Sequence, residues 1–215
     1  FSLFLLPVST EPTLYGKVLV TIESQDLKEG SKIDLVSNAS RMGVKGNIDL
    51  GEGLEAIYQA EYEIDPVDEK ADESKSRTFK QRNSFIGLKG YYGTLFLGTH
   101  DTALKKSQAK IDLFNDLAAD IKNILQGENR ISNFVGYTTP TIRKGFSATF
   151  NAIKGTSDQH KNKIGDSKSY SLNYKNKSFY AGIAIDLDVK GYDSNRFSLQ
   201  IPLNKTQIGI IYQDS

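Results

Sequence analysis

The chain has 215 residues, enough for one sizeable domain, and its 27 Lys and Arg nearly cancel its 26 Asp and Glu, leaving a formal net charge of +1. That balance argues against a nucleic-acid partner, and the absence of cysteine removes thiolate catalysis, disulfide scaffolds and cysteine-ligated zinc. Mean hydropathy is −0.41, and after the first few residues no run nears the ~20 apolar residues of a membrane helix, which excludes helical spans but not barrel strands.

Residues 1–10, FSLFLLPVST, are apolar and then small and polar, like the back half of a secretory signal peptide. A signal remnant is expected there, with cleavage near Ser9–Glu11, and one β-domain over 11–215. From Thr13 a period of two takes over. In LYGKVLVTIE, Leu14, Gly16, Val18, Val20 and Ile22 share one face, and Tyr15, Lys17, Leu19, Thr21 and Glu23 the other. Gln25–Asn38 reads as a polar loop. SRMGVKGNID sets Met42, Val44, Gly46 and Ile48 against Arg41, Gly43, Lys45, Asn47 and Asp49. A tight turn at Leu50–Gly53 leads to Leu54–Ile64, where Leu54, Ala56, Tyr58, Ala60 and Tyr62 alternate with Glu55, Gln59, Glu61 and Glu63. A charged loop follows at Asp65–Thr78. The next hairpin is QRNSFIGLKG and TLFLGTH, turning at Tyr91–Gly93.

Asp101–Asn129 breaks the pattern. Ile111, Phe114, Leu117, Ile121, Ile124 and Leu125 recur at steps of three and four, which predicts a helical segment with Asp112, Asn115, Asp116 and Asn123 on or near the other face and a stop at Gly127. A connection of this length between two strands is a surface helix packed on a sheet, or a loop folded inside a barrel. Beyond it, RISNFVGYTT and GFSATFNAI pair around Pro140, and Lys154–Asp166 is a hydrophilic loop. KSYSLNY and SFYAGIAID pair around Lys175–Lys177, then NRFSLQI and TQIGIIYQ around Pro202–Lys205.

About eleven strands result, with short turns alternating with longer polar loops, as in a transmembrane barrel. Lys17, Arg41, Lys45, Glu55, Gln59, Glu61 and Arg82 sit inside strands. In a dry core such charges would cost several kcal/mol each, whereas a water-filled lumen or a solvated outer face holds them. Tyr58, Tyr62, Tyr170, Tyr174 and Tyr180 fall toward strand ends, where an aromatic girdle would place them.

LYGK (Leu14–Lys17), SNASRMGVKGNIDLGEGLEAIYQAE (Ser37–Glu61), QRNSFIGLKGYYGTLFLGTHD (Gln81–Asp101), DLFNDLA and QGENR, taken in this order, resemble the trimeric general-diffusion porins of Gram-negative outer membranes, closest to the neisserial type. The match is dense from Leu14 to about Thr138 and looser to Ser215. The resemblance implies an all-β, 16-stranded antiparallel barrel whose third loop folds into the lumen. By motif, the basic wall of its constriction would be Lys17, Arg41, Arg82 and Arg130, facing Asp112, Asp116 and Asp120 on the loop and Glu128 at its exit. Lys105, Lys106 and Lys110 on the same loop depart from that pattern and dilute its acidic side. Sixteen strands would need ~320 residues, so an N-terminal fragment is expected.

The implied function is a passive channel for ions and small hydrophilic solutes. Its partners would be outer-membrane lipid and two further copies of the chain, with no cofactor, no metal and no catalytic residues. Two alternatives come from other classes. One is a barrel hydrolase built on His100, Asp101 and Ser107, whose spacing fits no nucleophile motif. The other is a solid structural or adhesin barrel, which the long insertion suits less well than it suits a constriction.

Overall fold

Thirteen strands form among the described residues: β1 Thr13–Lys17, β2 Val20–Leu27, β3 Gly30–Ser37, β4 Arg41–Asp49, β5 Glu55–Ile64, β6 Phe79–Gly90, β7 Gly93–Asp101, β8 Arg130–Thr138, β9 Phe146–Lys154, β10 Ile164–Lys175, β11 Tyr180–Val189, β12 Tyr192–Leu203 and β13 Thr206–Asp214. The structure is a computed structural model that describes residues 11–28, 30–67, 79–143, 145–155 and 162–215. The expected signal remnant and most of the charged loop at 65–78 lie outside the described residues.

Eleven strands make one antiparallel sheet in the order β1-β4-β5-β6-β7-β8-β9-β10-β11-β12-β13, and β2 pairs with β3 alone. Every strand of the large sheet lies beside its neighbour in sequence, the inserted β2–β3 hairpin aside. That is the meander of an up-and-down barrel. Among the described residues the sheet does not close, because β1 pairs only with β4 and β13 only with β12. Connections at one end are short, as at Tyr91–Tyr92 and Asn204–Lys205, whereas the loop at 102–129 leaves from the other end.

Two expectations fail near the start. LYGKVLVTIE is not one strand: it breaks at Val18–Leu19, where the Leu19 N–H donates to Ser40 Oγ at 3.0 Å and the Asn38 N–H to the Leu19 carbonyl at 2.8 Å. Gln25–Asn38 is not a loop, since β3 occupies most of it. Ile33 and Leu35 alternate with Lys32 and Asp34, and they pair across to Ser24 and Ile22, so the stretch is as amphipathic as its neighbours.

The period-two faces hold elsewhere. Lys17, Arg41, Glu63 and Lys80 form one cross-strand row, while Leu14, Val44 and Ala60 form another three residues away, on the opposite face. The outer face carries exposed Leu14, Ile86, Leu95, Leu97, Ile183 and Ile185. On it Tyr137, Phe150 and Tyr170 are register partners, with Phe146 and Tyr174 a tier nearer the short turns, ring centroids 4.7 Å apart. Tyr180 leaves the expected girdle, because its parity matches the inner face and its hydroxyl donates inward to the Ser107 carbonyl. On the inner face Gly43 makes room for the Tyr15 ring, which would lie 2.7 Å from a Cβ there.

Candidate functional site

The 102–129 segment folds onto the inner face. The helix that the apolar spacing predicts from Ile111 to Leu125 does not form, and the α-helix of the segment lies upstream: α1, Ala103–Lys106, capped by Thr102, whose hydroxyl accepts the Lys105 N–H at 3.2 Å. Past it come turns and one 3-10 turn at Ile121–Asn123. Carboxylates have displaced the helical ladder. Asp112 accepts the N–H groups of Phe114 and Ile121 at 2.9 and 3.3 Å, and Asp120 those of Asp116 and Lys122 at 2.8 Å each. The expected apolar stripe is therefore scattered, leaving Phe114 and Ile124 more than half exposed. Ile111 packs over Gly209 of β13.

The wall under α1 is built of small polar side chains, so the helix can approach closely. Ser167, Ser169 and Ser171 of β10, a strand that α1 packs on, are buried. Asn151 Oδ1 accepts the Ala103 N–H at 2.7 Å and Ser169 Oγ the Leu104 N–H at 3.1 Å. Further along, Gln207 donates to the Lys110 carbonyl at 3.1 Å. From that anchorage on β9–β13 the loop crosses to the opposite margin of the sheet.

There Asp116 meets two of the four predicted basic residues. One oxygen, Oδ2, lies 3.1 Å from Lys17 Nζ on β1 and 2.9 Å from Arg41 Nη1 on β4. Burial pushes the Asp116 carboxyl up, but these two cations more than offset it and hold the group below its ordinary value of 3.8. It is ionised at neutral pH.

The other predicted residues have different partners. Arg82 donates to Glu61 at 2.8 Å and to Glu63 at 2.7 Å, both on neighbouring β5. Arg130 donates to Asn83 Oδ1 at 2.8 Å and lies 3.1 Å from Asp101 Oδ1, which Lys105 also approaches at 3.4 Å. A bulge in β6 explains how Arg82 and Asn83, adjacent in sequence, both reach inward: between the pairs Ala60–Ser84 and Tyr62–Gln81, one residue of β5, Glu61, stands opposite two of β6, Arg82 and Asn83. Asp112 and Asp120 accept backbone N–H groups within the loop, and Asp120 also lines the cavity that Arg41, Arg82 and Arg130 line. Glu128 is paired with Arg196 of β12 at 2.7 Å, and burial pushes its carboxyl up. Lys106 lines the cavity and is pulled down by burial. The luminal carboxylates Glu61, Glu63 and Asp101 were not among the predicted site residues. Their places in the polar alternation of β5 and at the end of β7 were the available signal.

Between loop and wall lies a cavity of about 1020 Å³, lined by Arg41, Glu63, Arg82, Asp101, Asp116 and Arg130 among others. The His100–Asp101–Ser107 arrangement is not a relay. The Ser107 hydroxyl donates to the Leu104 carbonyl, His100 Nδ1 sits 2.8 Å from the Asp101 carbonyl, and the ring packs among Phe85, Phe96 and Phe134.

Comparison with known proteins agrees with this architecture. The chain is 30% identical over 196 residues to the major outer membrane protein P.IB of Neisseria gonorrhoeae, covering 83% of this chain and 53% of that protein. The chain thus spans about half the length of the curated relatives it matches. Among solved structures, the anion-selective porin from Comamonas acidovorans superposes with a TM-score of 0.71 at 23% identity, covering 94% of this chain and 67% of that one. Salmonella typhi OmpF, in complex with daunomycin, gives 0.75 at 18% identity, covering 94% and 65%. Residues 8–215 match the Gram-negative porin family. The chain belongs to that family, and its place is the outer membrane.

Proposed function

We propose that this chain builds wall and constriction of a water-filled channel through which ions and small hydrophilic solutes diffuse passively. The observation that carries this reading is Asp116, held on an inward-folded loop and bonded to Lys17 and Arg41 at the margin opposite the loop's anchorage. A loop so placed narrows the lumen, and its charges stand against cations on the wall. In a wet lumen these groups remain ionised, and opposed rows of charge set up a transverse field that small polar solutes tolerate. Apolar solutes must shed ordered water to pass. Lys17, Arg41, Arg82 and Arg130 are the basic side of this constriction. Asp116 is its loop carboxylate, while Asp112, Asp120 and Glu128 act by holding the loop.

The protein is proposed to act as a homotrimer, as the resemblance to trimeric porins implies, with the apolar outer faces against lipid. No covalent chemistry is assigned. The separation of His100, Asp101 and Ser107 into unrelated contacts speaks against a hydrolase, and a cavity of about 1020 Å³ among charged side chains speaks against a solid anchor. Single-channel recording on the gene's full-length product in planar bilayers tests the reading. Stepwise, ohmic ion currents are expected, and a folded barrel that conducts nothing would overturn it.

A further inference from the structure

Arg196 of β12 is buried, 2% exposed, and every nitrogen of its guanidinium has a partner. Nη1 lies 2.7 Å from Glu128 Oε1 and 3.4 Å from the Leu104 carbonyl. Nη2 donates to the Gln126 carbonyl at 3.1 Å, and Nε to Gln213 Oε1 at 2.7 Å. Leu104 belongs to the outgoing limb of the loop, and Gln126 and Glu128 to the returning limb. One planar group on β12 therefore grips both limbs at once.

The neck is tight around it. The Thr102 N–H donates to the Asn129 carbonyl at 3.1 Å, and Gln213 Nε2 to the Gln126 carbonyl at 2.8 Å. Gly127, at φ +86°, lies so near Leu104 that a Cβ would come within 2.5 Å of its Cδ2. Arg is suited to such a site because its donors diverge in a rigid fork, which a flexible ammonium does not supply.

We infer that Arg196 is the positioning residue of the constriction: by clamping both limbs of the 102–129 loop to β12, it sets where Asp116 stands relative to Lys17 and Arg41. It is sealed from the lumen and touches no solute. Its effect passes through a loop whose far end carries the narrowing charge. This rests on the channel reading for its consequence, but the clamp itself is a statement about loop geometry.

The test is made on the full-length product, with folding followed by heat-modifiable migration. Arg196→Met should fold, carry noisier open-channel currents and conduct about twofold more as the loop loosens. Amide hydrogen exchange over 102–128 should speed up by about tenfold while β4–β7 stay protected. Arg196→Met with Glu128→Gln removes the stranded carboxylate as well, and the noise and fast exchange should persist. Full recovery in that double variant would reduce Arg196 to a counter-charge for Glu128 and overturn the proposal. So would an Arg196→Met barrel with ordinary currents and exchange. Should Arg196→Met fail to fold, Glu128→Gln, a loop substitution, takes its place: faster loop exchange supports the clamp, and unchanged exchange overturns it. If the wild-type barrel conducts nothing, the channel reading falls, and the exchange comparison alone still decides the clamp.

Discussion

At the scale of single residues, the unusual feature is one carboxylate oxygen serving two cations. Asp116→Asn would keep its shape and remove the charge, leaving Lys17 and Arg41 without an acidic partner on the loop. Permeability should shift toward anions, read as a reversal potential in a salt gradient. Stability should fall by no more than ~1 kcal/mol, because water reaches the Lys17 end of the pair. Arg82→Ser should shift permeability the other way, since it strands Glu61 and Glu63 in the lumen. The pH dependence has a definite sign. Asp116 is held below 3.8, so its contribution is complete above that value and is lost as pH falls through the depressed one. Loop contact, followed by conductance, should persist at pH 5 and fail only in stronger acid.

At the scale of elements, strand faces were legible because period two is a local property that each strand states for itself. The large sheet's eleven strands and the opposed faces of Arg41 and Val44 came from that alone. The loop's borders were legible from the strands on either side of it, its inward course only by family likeness. Its spacing of Ile111, Phe114, Leu117 and Ile121 imitates a helix, yet Asp112 and Asp120 spend the backbone donors such a helix would need. The β3 strand was missed because its charges hid the alternation of Ile33 and Leu35 with Lys32 and Asp34. Arg196 was missed for a different reason: NRFSLQI shows an ordinary polar position, and only the returning loop makes it a buried one. Close approach across strands gives a further prediction. Gly43→Val would drive the Tyr15 ring off the sheet and break its 3.0 Å bond to Glu61. The cost should be about 1–3 kcal/mol, measured by urea unfolding of the folded barrel.

At the scale of the whole molecule, the large sheet has two margins, β1 and β13, with no strand partner among the described residues. Each is a row of backbone donors and acceptors, and in hydrocarbon every unsatisfied group costs several kcal/mol. A polypeptide of these 215 residues expressed alone should therefore not migrate as a heat-resistant barrel monomer in detergent gels. A heat-resistant folded monomer would show that the margins can meet.

The loop's contacts also carry information about time. Strand partners in the large sheet are mostly sequence neighbours, whereas Arg196 and Leu104 are 92 positions apart, and Lys17 and Asp116 are 99 apart. Contacts between such distant positions form after local ones, because the intervening chain must first be ordered. β12 must stand in the wall before the loop has anything to grip. On the proposed channel reading, the narrowing is expected to be a late event in assembly, after a wider stage that ends when the loop seats.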